Sequence, residues 1–276
     1  MFEGIYGHSA QKEMLIEAIT NDRISHAYLF YGTEGIGKQK IAKEFARRIL
    51  GVDNLDTCVD YKYISKKEDK KDIVAQQIRE DISDDVIEKP ISCKRKVYII
   101  NDANFLNDIA QNALLKTLEE PPTYIVIILI ASNISMLLPT ILSRLTKVEF
   151  SKIDKENMDK YVRDNNIVLQ DNIIEFAEGS IGKMNNIISE KLVDNFSKID
   201  EIICCFEQKD IANAMIKCGD IDFNNVENLD YLEFMLFKKK HYVAALEVKT
   251  ALKRLKMNGN YDIVIDNMII KCIERL

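Results

Sequence analysis

The stretch Ala27-Tyr28-Leu29-Phe30-Tyr31-Gly32-Thr33-Glu34-Gly35-Ile36-Gly37-Lys38 decides the fold. An apolar run of strand length meets a turn with three glycines. Lys38 then opens a segment in which Ile41, Phe45 and Ile49 recur on one helical face. This is G-x-x-x-x-G-K in the strand, loop and helix context that a phosphate loop requires. Glycines let the backbone wrap an anion, the amides point inward, and the helix N-terminus adds positive potential. Gly32, Gly35, Gly37 and Lys38 are therefore candidate nucleotide ligands, with Lys38 reaching the terminal phosphates.

Outward from this loop, strands and helices alternate. An amphipathic helix over 11–21 precedes it, and a helix over 38–50 follows. A short strand at 61–64 leads into the charged 66–72, read as a solvated loop, and then a helix over 73–82. Strands at 96–101, 124–132 and 146–150 enclose a helix over 109–118, which Pro121 and Pro122 terminate. Apolar strands without alternation, separated by helices, predict an α/β domain over 1–150 whose parallel sheet is covered on both faces. After Ser151 only helical spacing remains. It predicts a small helical domain over 151–195 and a second helical unit over 196–276.

The chemistry around the loop is incomplete. The position after Lys38 calls for a Ser or Thr hydroxyl on Mg²⁺, but it holds Gln39. The strand Val97–Ile100 runs into Asn101 and Asp102, where an acidic pair would hold the metal and orient water. Asn101 is neutral, and Asp102 is one methylene shorter than the usual Glu; a polar strand end is the simpler reading. A phosphate cradle without its magnesium ligands predicts a protein that does not hydrolyse nucleotide, because phosphoryl transfer rests on positioning and charge. Weak ATP or ADP binding stays open.

Composition narrows the classes. Lys plus Arg minus Asp plus Glu is 38 − 44 = −6, which counts against a chain whose main work is gripping phosphate backbones. Lys249, Lys253, Arg254 and Lys256 make the end of one helix basic, which complements its dipole and reads as a solvated face. No run of 18 apolar residues exists, and no secretory signal is visible, so a cytoplasmic protein with reduced thiols is expected. The three histidines have no ligand spacing and read as structural.

Three further motifs carry a resemblance. Ser25-His26-Ala27-Tyr28-Leu29-Phe30, Gln111-Asn112-Ala113-Leu114-Leu115-Lys116-Thr117-Leu118-Glu119-Glu120-Pro121-Pro122 and Pro139-Thr140-Ile141-Leu142-Ser143-Arg144 resemble the bacterial clamp-loader AAA+ ATPases, in order along residues 1 to about 190. The resemblance implies a AAA+ P-loop domain, a helical lid and a C-terminal helical collar. It implies a hetero-oligomer with motor subunits of the gamma/tau type and a delta type, acting on a sliding clamp and primed DNA through the complex, with no membrane. It also assigns Ser143 and Arg144 to a Ser-Arg-Cys motif whose Arg reaches the neighbour's ATP. Such an arginine finger is worth roughly 10³–10⁵ in rate. Leu145 departs from the motif.

Other departures follow from the same resemblance. The family's four-Cys zinc module would fall near 51–75, where only Cys58 occurs, so no zinc and no required cofactor are expected. Asn133 matches the first sensor position. The second sensor Arg is replaced by Gly182 after Gly179-Ser180-Ile181, with Lys183 adjacent. These changes favour a non-hydrolysing loader subunit. The rivals are an ATP-hydrolysing motor subunit or other AAA+ ATPase, and a small-molecule kinase, which would need intact magnesium ligands and an acceptor pocket.

Overall fold

Continuous apolar runs become the central strands of a five-stranded parallel sheet in a computed structural model that describes residues 2–67 and 70–276. The strands are β1 (Ala27–Gly32), β2 (Tyr61–Ile64), β3 (Lys96–Ile100), β4 (Ile125–Ala131) and β5 (Thr146–Phe150), in the order β2-β3-β4-β1-β5. β3 and β4 are buried at every position, as strands covered on both faces should be. The edge strand β5 instead alternates, with only Val148 and Phe150 turned inward.

Among the described residues, the α-helices that belong with this sheet are α1 (Ser9–Thr20), α2 (Lys38–Leu50), α3 (Ala75–Ile78), α4 (Asp108–Glu119), α5 (Pro139–Leu142) and α6 (Lys155–Asp164). One sheet face, including Ala27, Leu29, Tyr98 and Ile127, packs with Ala110, Leu114 and Leu118 of α4 and Ile141 of α5. On the other face Tyr28 meets Phe45 of α2 edge-on at 5.3 Å, and Phe30 lies 5.2 Å from Phe150. The helix expected over 73–82 is broken. Ile73 is tied to the loop before α4, donating to the Phe105 carbonyl at 2.8 Å, so α3 starts later and widens into a π-helical turn, Arg79–Ser83. Of the loop expected over 66–72, Glu68 and Asp69 lie outside the described residues; Lys66 places its ammonium over the Phe105 ring.

The described residues form two compact units. One spans Met1–Asn166 and takes back the turn Gly179–Gly182; the other spans Ile167–Glu178 and Lys183–Leu276. These limits differ from boundaries at 150 and 195. The latter falls inside a helix, and Ile173, Phe176 and Ile187 share one core with residues as far as Ile273. The second unit holds α7 (Asp171–Phe176), most of α8 (Ile181–Ser189), α9 (Leu192–Glu207), α10 (Ile211–Gly219), α11 (Val226–Lys238), α12 (Tyr242–Lys256) and α13 (Tyr261–Glu274). Phe196 and Tyr231 stack at 4.0 Å in its core, with Phe176 edge-on to both. Among the described residues no helix is long and apolar enough to cross a membrane.

Candidate functional site

β1 delivers the chain to the phosphate loop at Gly32, opposite Phe150. A Cβ on Gly32 would lie 2.0 Å from the Phe150 carbonyl oxygen, so only glycine can leave the sheet here. The loop is then fastened from outside. Lys38 Nζ donates to the carbonyls of Gly32 at 2.7 Å and Thr33 at 2.6 Å. Ser180 Oγ donates to Glu34 at 3.1 Å, and the Gly182 amide donates to Gly35 at 2.8 Å. His8 Nε2 lies 2.9 Å from the Ile36 carbonyl, so that nitrogen carries the proton. Five successive carbonyls, 32 to 36, thus accept bonds from this chain's own groups. Burial also lowers the His8 pKa, keeping the ring neutral.

Lys38 is only 6% exposed, and burial lowers its pKa to about 8, with Glu34 and Asp102 opposing the shift. The side chain that would meet a terminal phosphate is held against its own loop. Gln39 donates to the Tyr63 hydroxyl on β2. Asn101 Nδ2 donates to Asp102 Oδ2 at 2.8 Å, and Asp102 adopts a left-handed backbone with φ 54°. Burial first, then Glu34, raises the Asp102 pKa, with Lys66 and Lys38 opposing the shift. Asn133 Oδ1 accepts from the Ser135 amide at 2.9 Å and hydroxyl at 2.7 Å, the geometry of a turn cap. Among the described residues no group of three or more His, Cys, Asp or Glu could hold a metal ion.

Gly182 stands where the resemblance expects a cation, and its surroundings explain the glycine. A Cβ there would lie 2.6 Å from the Gly35 Cα, inside the phosphate loop. The neighbouring Lys183 is engaged in the helical unit, 3.5 Å over the Phe176 ring and 3.8 Å from Glu227.

Arg144 lies at the other end of the sheet. Tyr28 pairs with Thr146 and Gly32 with Phe150, so Arg144, two residues before Thr146, is at the start of β1 and β5 while the phosphate loop follows their ends. Four strand residues separate the two levels by about 13 Å. Arg144 Nη2 donates to Glu119 Oε1 at 2.7 Å, and Nη1 donates to the Thr140 carbonyl at 2.6 Å and to Ser143 Oγ at 3.3 Å. Leu145 is buried at 8% exposure, so the third motif position is a core position that an apolar residue fills.

The structure thus gathers Gly32, Gly35, Gly37, Lys38 and Asp102 at one end, and Ser143 and Arg144 at the other. Sequence reasoning missed the residues that hold each group. Ser180 and His8 brace the loop. Gln111, 1% exposed, donates to the carbonyls of Leu106 and Met136, both at 3.0 Å, and accepts from the Leu138 amide at 2.7 Å. It ties the segment entering α5 to α4, whose last residue, Glu119, holds Arg144. A glutamine within the buried stripe of α4 was the available signal.

Comparisons with known proteins agree with this architecture. The model of the family described as DNA polymerase III, delta subunit, matches residues 7–154. The DNA polymerase III subunit tau/gamma of Haemophilus influenzae is 28% identical over 226 residues, covering 78% of this chain and 32% of that protein. Subunit tau of Bacillus subtilis is 32% identical over 215 residues, covering 73% and 38%. The chain therefore spans about a third of the length of these curated relatives. A DNA polymerase III gamma subunit-related protein from Thermotoga maritima has a TM-score of 0.55 at 19% identity, covering 96% of this chain and 99% of that one. A RuvB variant from the same organism has a TM-score of 0.51 at 13% identity, covering 95% and 85%. At these identities the two structures share the fold.

Proposed function

The chain belongs to the family described as DNA polymerase III, delta subunit, within the bacterial clamp-loader AAA+ proteins, and we propose that it is a delta-prime type of loader subunit. In this reading it does not hydrolyse ATP. It scaffolds a cytoplasmic hetero-oligomer with gamma/tau-type motor and delta-type subunits, and Arg144 completes a neighbour's ATP site while a sliding clamp is placed on primed DNA. The observation that carries the reading is the contrast between a phosphate loop whose magnesium positions hold Gln39 and Asn101 and an arginine at the far end of the same strands.

Arg144 acts in trans in this account because β1 separates it from its own loop. Its present partner is a modest one. The Arg144–Glu119 pair is 32% and 49% exposed, and pairs so open to water contribute little. A polyphosphate offers the planar guanidinium more charge and two-pronged hydrogen bonding, so exchange of Glu119 for a neighbour's phosphate is favourable. Ser143, whose hydroxyl donates to the Thr140 carbonyl at 3.0 Å, keeps the turn that carries Arg144 compact.

The names of the curated relatives favour a second reading, an ATP-hydrolysing motor subunit. Gln39, Asn101 and Gly182 stand against it. The test has two arms. The purified chain is expected to give no turnover with Mg-ATP, and robust turnover would select the motor reading. A loader reconstituted with Arg144→Ala is expected to assemble but to lose turnover at that neighbour's site by roughly 10³-fold or more, and so a clear share of its total ATPase activity. Unchanged loader ATPase would remove the finger.

A further inference from the structure

Two thiols far apart in sequence meet at the edge of the sheet. Cys58 lies in the turn before β2 and Cys93 in the turn before β3, and their sulfurs are 3.7 Å apart. Both are free and half-buried. β2 and β3 pair in parallel with Tyr61 opposite Val97, so the cysteines precede partnered residues by three and four positions. Neighbouring strands run about 4.8 Å apart, within the Cα separation that a disulfide spans.

Asp60 fixes this approach. It is 2% exposed, and its carboxylate accepts from the amides of Ile91 at 2.8 Å, Ser92 at 2.7 Å and Cys93 at 2.7 Å, and from Ser92 Oγ at 2.9 Å. Burial alone would raise its pKa, but these bonds outweigh it and hold the group anionic. The Asp60 carbonyl also accepts from Val97 at 2.9 Å. One residue two positions after Cys58 thereby pins the whole Cys93 turn. With both its oxygens committed to that turn, Asp60 positions the thiols and is not a metal ligand.

We propose that Cys58 and Cys93 are an oxidation site, a dithiol that a peroxide closes into a disulfide across the start of β2 and β3. Closing it needs the sulfurs to approach by about 1.7 Å, from 3.7 Å to a bond of about 2.0 Å, a side-chain rotation at two half-buried positions. The Cys58 thiolate attacks one peroxide oxygen. The O–O bond breaks, water leaves after protonation, and sulfur becomes a sulfenic acid. Cys93 then attacks that sulfur; an S–S bond forms, the S–O bond breaks and a second water leaves. Two thiols and one hydrogen peroxide give one disulfide and two waters. Burial first, opposed by the Ser92 hydroxyl and reinforced by Cys58 and Asp60, raises the Cys93 pKa; it is the 3.7 Å approach of the two sulfurs that places Cys93 for the second step. The product would brace the edge strand β2, at the opposite sheet edge from β5.

The test treats the full chain with hydrogen peroxide, alkylates free thiols under denaturing conditions and maps peptides by mass spectrometry. Wild type is expected to yield a Cys58–Cys93 linked peptide that dithiothreitol abolishes, with Cys205, Cys218 and Cys272 still alkylated. Cys93→Ser is expected to lose the link and accumulate sulfenic acid at Cys58, trapped by dimedone. The proposal is overturned if the two cysteines stay alkylatable while the exposed Cys204 oxidises, or if they reach sulfinic acid without linking. It is also overturned if the linked peptides join different chains. Serine preserves size and polarity, so matching circular dichroism separates a lost bond from a lost fold.

Discussion

The two ends of β1 make opposite use of backbone carbonyls and cations. At its C-terminal end, Lys38, Ser180, Gly182 and His8 occupy five consecutive carbonyls, and the key lysine is buried against them. At its N-terminal side, Arg144 is held by one carboxylate and by groups within its own turn, all partly open to water. The difference is one of reversibility. Opening the first end means breaking bonds to five carbonyls, whereas freeing the second breaks one exposed ion pair and two hydrogen bonds within the turn that carries Arg144. The carbonyl side of the phosphate loop is thus fixed by many bonds, while the arginine is held by few.

The sharpest way to break this comparison is Gly182→Arg, which restores the cation the resemblance expects. Its Cβ would overlap Gly35, so the expected loss of stability is about 3 kcal/mol in denaturant unfolding. A variant of full stability that binds ATP would mean that the closed end yields easily. A second measurement concerns Lys38. Its pKa is about 8 in the folded chain against an ordinary 10.5, so between these values the unfolded chain binds the extra proton. Wild-type stability should therefore rise relative to Lys38→Met as pH goes from 8 to 10.5, by about 2 kcal/mol after allowing for solvent screening. A difference that stays flat with pH would place the ammonium in water.

Much of this was legible in the sequence, and the reason differs by region. The strand, glycine turn and lysine of 27–38 are local, so periodicity and spacing suffice. β3 and β4 read as buried because their apolar runs do not alternate. The closure of the loop is not local. Ser180 and Gly182 come from more than 140 residues away, and nothing in Gly179-Ser180-Ile181-Gly182 states that its amide caps Gly35. The units also resisted reading, because α7 and α8 carry apolar faces whose partners only the tertiary fold selects. Asp60 had no motif at all, since its bonds go to the backbone of residues 91–93.

At the other end of the sheet the comparison is sharpened by smaller effects. Gln111→Leu keeps a similar size but leaves the Leu138 amide and the Leu106 and Met136 carbonyls without their partner. The expected cost is about 2 kcal/mol, with faster amide exchange at Leu138. A neutral result would mean that water replaces the glutamine and that this end is looser than its geometry implies.

Glu119→Gln should be the smallest change and the most discriminating. The pair it neutralises is solvent-exposed, so stability is expected to move by no more than about 0.5 kcal/mol in unfolding experiments. The amide oxygen can still accept from Arg144, so the turn keeps its shape. What changes is competition for the guanidinium, since a carboxylate holds it more strongly than an amide does. If Arg144 leaves Glu119 to meet a neighbour's phosphate, the reconstituted loader should hydrolyse ATP at least as fast with this variant, by up to about twofold. If turnover falls as it does for Arg144→Ala, the carboxylate is needed to aim the arginine and the N-terminal end is held as deliberately as the phosphate loop. The two outcomes separate a resting partner from a positioning one, because stability stays constant in both.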